Sequence, residues 1–263
     1  MTSTQHNDTQ KNTKNTTNTE ALPNGQFCWM ALRTPDVERA RAFYGHVVGW
    51  TLVPPTAQMP MSTFVAEKGA VAHVEDSAGA ARFGCYVVVV DRDKAVKRVV
   101  AAGGRVVGDV VDMPGVGVMR EIADPAGATV SLFQPRGAAQ AQPVSGQGSL
   151  AWSELVAADD AAAVAFLTAV IGYGVDSMPN NPGYTLLTSG GAARAGVMKA
   201  RDKAAPSSWI PYLSVADADV AVARAVEKGA TVVVPAVTVA GAGRFAVVVD
   251  PQGALVGLLA RAA

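Results

Sequence analysis

The run from Phe27 to Arg33 (FCWMALR) has the period of a half-buried strand, and after Thr34-Pro35-Asp36 the period changes. Val37, Ala40, Phe43, Tyr44 and Val47 then recur every three or four positions as far as Gly49. The first pattern predicts a strand and the second a one-sided helix, with Thr34 as N-cap, Pro35 at the first helical position and Gly49 as terminator. Strand-like runs follow at 51–53, 63–66 and 70–75, parted by turn residues such as Lys68-Gly69. The order then starts again: a strand over 85–90, a helix over 91–102 closed by Gly103-Gly104, and strands over 105–111, 117–122 and 128–133.

The chain writes this twice more. FCWMALRTPD around Trp29 returns as AWSELVAADD around Trp152, 123 positions on. GCYVVVVDRDKAVKRVVAAGG returns as IPYLSVADADVAVARAVEKGA, and IADPAGATVSLF returns as VVDPQGALVGLL. A repeat of that length marks a duplicated structural unit. The fold expected is α+β: four βαβββ units forming two modules, each with its helices on the outer face of a curved mixed sheet and a concave pocket on the other face. The modules are expected at 25–135 and 150–263. RGAAQAQPVSGQGS at 136–149 has the composition of a flexible linker. The Thr, Asn and Gln-rich residues 1–24 hold too little apolar surface to offset their ordering entropy and read as a disordered tail.

Composition narrows the function classes. Among 263 residues, 49% are hydrophobic, enough for a substantial core, and 22 basic side chains balance 22 acidic ones without forming blocks. There is no basic stripe for nucleic acid or an anionic membrane, no secretory apolar segment, and no run near the ~20 apolar residues of a membrane span. A cytoplasmic protein without nucleic-acid or membrane partners is expected. The two cysteines, Cys28 and Cys85, lie in apolar runs and read as buried free thiols.

The βαβββ order, the helix TPDVERARAFYGHVVGW and the turns ADPAGATVSLF and VDPQGALVGLL together resemble the vicinal oxygen chelate superfamily, which includes glyoxalase I, bleomycin-resistance proteins and extradiol dioxygenases. Trp in the first strand of each half, with GAGRFAVVVDPQGALVGLL, is similar to a two-module actinobacterial glyoxalase-like branch. The resemblance covers residues 25–261. It implies a divalent metal on the concave face, held by His or Gln of the first strand, His of the strand opening the second unit, and Glu of the last strand. At those positions this chain has Trp29 and Trp152, Cys85 or Tyr86 against Pro211 or Tyr212, and Ser131 and Gly257. Trp, Gly and Pro side chains cannot ligate zinc or iron, so no metal and no other cofactor is expected.

What remains on the inferred concave face is aromatic and weakly polar. Strand alternation groups Trp29, Ala31 and Arg33, and likewise Trp152, Glu154 and Val156. Tyr86 and Tyr212 are counterparts, and Ser131 and Phe133 share a face. Trp29, Arg33, His73, Tyr86, Ser131, Phe133, Trp152 and Tyr212 are the candidate ligand contacts; the tryptophans are equally readable as barrel core. His73 with Glu75, Glu121 or Glu154 would make an unconventional polar site. Glu154 has Ala31 as its counterpart, and a carboxylate on an apolar face suits a general base or a ligand anchor; its plain alternative is an ion pair with Arg33 or Arg194. The leading expectation is a metal-independent binder of a small aromatic molecule, as a monomer with fused modules or a homodimer. The rivals are a lyase, isomerase, cyclase or dioxygenase using displaced ligands or Glu154 and a tyrosine, and a partner-binding module.

Overall fold

The computed structural model of the chain describes residues 22–56, 60–136, 144–179, 181–202 and 204–262. The predicted tail as far as Ala21, and positions 137–143 of the predicted linker, lie outside the described residues.

The first half contains β1 (Phe27–Thr34), α1 (Val37–Val48), β2 (Thr51–Val53), β3 (Thr63–Ala66), β4 (Gly69–Asp76), β5 (Arg82–Val88), α2 (Arg92–Ala101), β6 (Arg105–Met113), β7 (Gly117–Ala123) and β8 (Thr129–Pro135). The second half repeats that order as β9 (Leu150–Ala157), α3 (Asp160–Ile171), β10 (Gly174–Met178), β11 (Asn181–Ser189), β12 (Ala192–Lys199), β13 (Ser208–Ser214), α4 (Ala218–Glu227), β14 (Thr231–Val239), β15 (Gly243–Val249) and β16 (Leu255–Ala260). Each half forms one eight-stranded mixed sheet. The orders, β2-β3-β4-β1-β5-β8-β7-β6 and β10-β11-β12-β9-β13-β16-β15-β14, are the same topology built twice. Within each sheet two pairs are parallel, β1 with β4 and β5 with β8, then β9 with β12 and β13 with β16.

All four helices start on an aspartate whose side chain accepts from a backbone N–H of the first turn: Asp36, Asp91, Asp159 and Asp217. For α1 this corrects the expected start. Asp36 is in extended conformation and takes the Arg39 N–H at 2.9 Å, so Thr34 and Pro35 lie outside the helix. Gly49 ends it in the left-handed region, at φ 77°.

The two sheets share their cores. Met30, Leu32 and the inner face of α1 pack with Leu213, Val248, Leu258 and the inner face of α4. Phe27, Val87, Val99 and Leu132 pack with Leu155, Phe166, Leu187 and Trp209. Each large core therefore joins one unit of the first sheet to one unit of the second, and the helices lie between. Buried hydrogen bonds reach across from the first core, from the Tyr44 hydroxyl to Asp250 at 2.9 Å and from the Trp50 indole N–H to the Gly148 carbonyl at 2.8 Å. Both concave faces are left to smaller clusters, around Tyr86 and Phe133 in one sheet and around Tyr212 and Leu259 in the other. Cys28 and Cys85 are free thiols, and burial raises both to a pKa of about 12, so neither is a reactive thiolate.

Candidate functional site

Strand register shows which residues of the two concave faces are equivalent. One row runs Glu121, Ser131, Tyr86, Trp29 across β7, β8, β5 and β1, and its counterpart is Val247, Gly257, Tyr212, Trp152. The next row is His73, Ala31, Gly84, matched by Gly196, Glu154, Ile210. A third is Glu75, Arg33, Arg82, matched by Met198, Val156, Ser208. Trp and Tyr are kept, and almost everything polar is exchanged.

In the first sheet the polar groups satisfy one another. The Trp29 indole N–H donates to Nδ1 of His73 at 2.9 Å. An indole can only donate, so Nδ1 carries the lone pair and the ring proton sits on Nε2, 2.8 Å from the Glu75 carboxylate. Arg33 bridges Glu75 at 3.0 Å and Glu121 at 2.8 Å. The His73 hydrogen bond, helped by Arg33, holds the Glu75 carboxyl down at a pKa of about 2. The Tyr86 hydroxyl lies 3.5 Å from Nε2 of His73, and burial raises its pKa. Ser131 is buried opposite Tyr86, and the Phe133 ring closes over Gly117, where a Cβ would stand 2.4 Å from it.

This face is also filled by its own chain. A turn at 23–26, closed by Gln26 N–H to the Pro23 carbonyl at 3.1 Å, returns Leu22 onto Tyr86, Met119 and Phe133, where it is 6% exposed. Asn24 and Gly25 fix the turn to the second sheet's half through Ile171 and Tyr173, at 2.7 and 2.6 Å. The last three residues of the expected tail are thus packed. The same turn recurs at 146–149, closed by Ser149 N–H to Gly146 at 3.1 Å. There the residue equivalent to Leu22 is Ser145, which is exposed.

In the second sheet the polar groups reduce to one acid and its donors. Glu154 is 6% exposed, and the Tyr212 hydroxyl donates to it at 3.0 Å. The Trp152 indole N–H donates to the Tyr184 hydroxyl at 2.9 Å, and that hydroxyl stands beside Glu154. Burial raises the Glu154 pKa, with the two tyrosine bonds opposing the shift. Burial raises both tyrosines, and the neighbouring Glu154 charge adds to that. The expected ion pair is not formed, because Arg33 belongs to Glu75 and Glu121 in the other sheet and Arg194 hydrogen-bonds Gln26 and the Ser189 carbonyl. Val156, Val247, Leu259 and Phe245 complete the apolar wall, with Phe245 edge-on to Tyr212 at 5.7 Å.

Sequence reasoning offered Glu75, Glu121 or Glu154 as a carboxylate beside His73; Glu75 is hydrogen-bonded to it, Glu121 is joined to Glu75 through Arg33, and Glu154 lies in the other sheet. It missed Tyr184. The available signal was Gly196, alone inside a strand: its Cβ would stand 1.9 Å from the Tyr184 hydroxyl, so the glycine makes room for that ring. His46 lies outside both faces, exposed on α1 and 3.1 Å from Glu227.

A divalent ion does not fit the donors at these strand positions. Both His73 nitrogens are engaged, Trp29 and Trp152 only donate, and Ser131 and Gly257 stand where the resemblance puts a carboxylate. Among the described residues no three His, Cys, Asp or Glu side chains gather as a metal-holding group. No helix among them is long and apolar enough to cross a membrane.

The glyoxalase-like domain family matches residues 29–133. CFP32 of Mycobacterium tuberculosis, assigned by name as a glyoxylase, is 34% identical over 244 residues, covering 88% of this chain and 93% of the relative. The anthracycline biosynthesis protein DnrV of Streptomyces peucetius is 32% identical over 257 residues, covering 88% and 91%. Among solved structures, the Mn(II)-bound glyoxalase of Novosphingobium aromaticivorans superposes with a TM-score of 0.66 at 19% identity, over 90% of this chain and 82% of that one, which is a likeness of fold. With both modules aligned to relatives of this identity, the chain belongs to the glyoxalase-like proteins of the vicinal oxygen chelate superfamily.

Proposed function

We propose that the protein binds a planar aromatic small molecule without a metal, and that the second concave face is the receptive pocket. The observation that carries this reading is the contrast between two equivalent faces. The first is closed by Leu22 and by a mutually satisfied set of Arg33, Glu75, Glu121 and His73. The second keeps the aromatic residues Trp152, Tyr212 and Phe245 around one buried carboxyl, and where the first has Leu22 it has the exposed Ser145. Apolar concavity with a few directed polar groups is the common form of a small-molecule site. The relation to a protein of anthracycline biosynthesis supports an aromatic natural product as the ligand class.

Native mass spectrometry of freshly purified protein tests the reading. An organic adduct that disappears in Trp152→Ala is the expected result; a stoichiometric transition metal would overturn it.

Glu154 supports a second reading, an acid-base enzyme such as an isomerase or cyclase. A desolvated carboxyl hydrogen-bonded to two tyrosines has the raised pKa a general base uses. If Glu154→Gln keeps ligand affinity and abolishes turnover of that ligand, the protein is an enzyme.

A further inference from the structure

We infer that the second-module pocket selects its ligand by a phenolic or enolic hydroxyl, which donates its hydrogen to Glu154. The inference rests on that pocket being the ligand site and adds the chemical class it takes.

The argument is a count of hydrogens. Trp152 Nε1–H is spent on the Tyr184 oxygen. With that oxygen already accepting, the Tyr184 hydrogen has the neighbouring Glu154 carboxylate as its acceptor. The Tyr212 hydrogen is spent on Oε1 of the same carboxylate. Across the sheet the neighbouring positions are Gly196, Ile210 and Gly257, whose side chains hold no polar atom. Arg261 at the rim gives an N–H to the Ala151 carbonyl. The tyrosine and tryptophan hydrogens beside Glu154 therefore point to acceptors of the cluster itself, while the carboxylate has up to about four acceptor positions, of which the two tyrosines can fill only two.

A ligand carbonyl or ether in this place would meet acceptors only and lose its hydration without return. A hydroxyl on an aromatic ring brings the missing hydrogen. An ammonium group would bring three, and the surrounding Val156, Val247 and Leu259 would leave its others unpaired at an ionic desolvation cost. The first module does not share this selectivity, since Ala31 stands in place of Glu154.

The test uses the full chain and three probes of one planar frame: 2-naphthol, its methyl ether 2-methoxynaphthalene, and naphthalene, titrated calorimetrically at neutral pH. The expected result is that 2-naphthol binds about tenfold or more tightly than the ether, as a hydrogen bond to a charged group predicts. Naphthalene should group with the ether, a comparison made on the wild type alone and so independent of any variant's folding. In Glu154→Gln the carboxamide supplies an N–H, and the preference should fall to near equality. Equal affinities of all three on the wild type, with binding lost in Trp152→Ala, would overturn donor selection and leave the pocket standing. No binding of any probe would overturn both.

Discussion

Among the described residues Glu154 has no cationic partner, so its ionisation is a cost the fold carries. Burial sets its folded pKa above the unfolded value, and the bonds from Tyr184 and Tyr212 offset only part of this. A carboxyl with a raised folded pKa contributes stability that is complete below its unfolded pKa, about 4.3, and is lost as pH rises through the folded value. Glu75 acts in the opposite sense. Its carboxyl, held at about 2, stabilises above the ordinary glutamate range and loses that effect as pH falls toward 2. Wild-type Tm minus Glu154→Gln Tm, followed between about pH 4 and 8, isolates the first term. The difference should be most favourable to wild type in acid and decline as pH rises; a flat difference would mean that Glu154 is solvated. Only part of this site was legible in the sequence. The Trp and Tyr pairs were visible because they repeat in register, and Glu154 stood out because its counterpart is alanine. Tyr184 was not visible, since it reaches Glu154 from another strand across the gap left by Gly196.

At the scale of elements, duplication made the fold readable and local exchanges made the two halves unequal. Periodicity placed all of the first sheet's strands and both of its helices to within a few residues, because each unit repeats the same sequence of strand, aspartate cap, helix and turn. What escaped was whatever depends on a neighbour. The cap of α1 moved to Asp36, and the chain before β1 proved to be a turn that seats Leu22 in a pocket. The equivalent turn before β9 has the same closing bond, and Gln147 accepts from Ala216 N–H as Asn24 accepts from Val90 N–H. The turns are written Pro23-Asn24-Gly25-Gln26 and Gly146-Gln147-Gly148-Ser149, and the residue ahead of them is the buried Leu22 in one and the exposed Ser145 in the other. Leu22→Ala should therefore open the first concave face and leave the second as it is. In a Trp152→Phe background, acrylamide quenching of Trp29 should rise on Leu22→Ala, because Leu22 and Trp29 belong to the same apolar cluster. Unchanged quenching would show that Leu22 does not close the face.

The whole molecule is organised across its modules. Neither large core belongs to one sheet: the first needs β1 and α1 together with α4 and β16, and the second needs β5 and α2 together with α3 and β9. A module taken alone would expose the apolar faces of both its helices, so each half depends on the other to bury them. The Tyr44 to Asp250 bond adds a directional tie in the first core, and the bond from the Tyr173 hydroxyl to the Gly25 carbonyl adds one in the second. Unfolding should consequently be one cooperative event, although the chain contains two complete sheets and exceeds the size at which single transitions are the rule. Scanning calorimetry should give one endotherm with calorimetric and van't Hoff enthalpies in agreement. Tyr44→Phe, which leaves a buried acceptor unsatisfied at a cost of about 1–3 kcal/mol, should lower that single transition and not split it. Two resolved endotherms, with Tyr44→Phe moving only one of them, would show that the shared cores do not couple the halves. Coupling of this kind also bears on the concave faces: with the backs of both sheets locked together, they can diverge, one packed by Leu22 of its own chain and one built around the buried Glu154, without loss of the common scaffold.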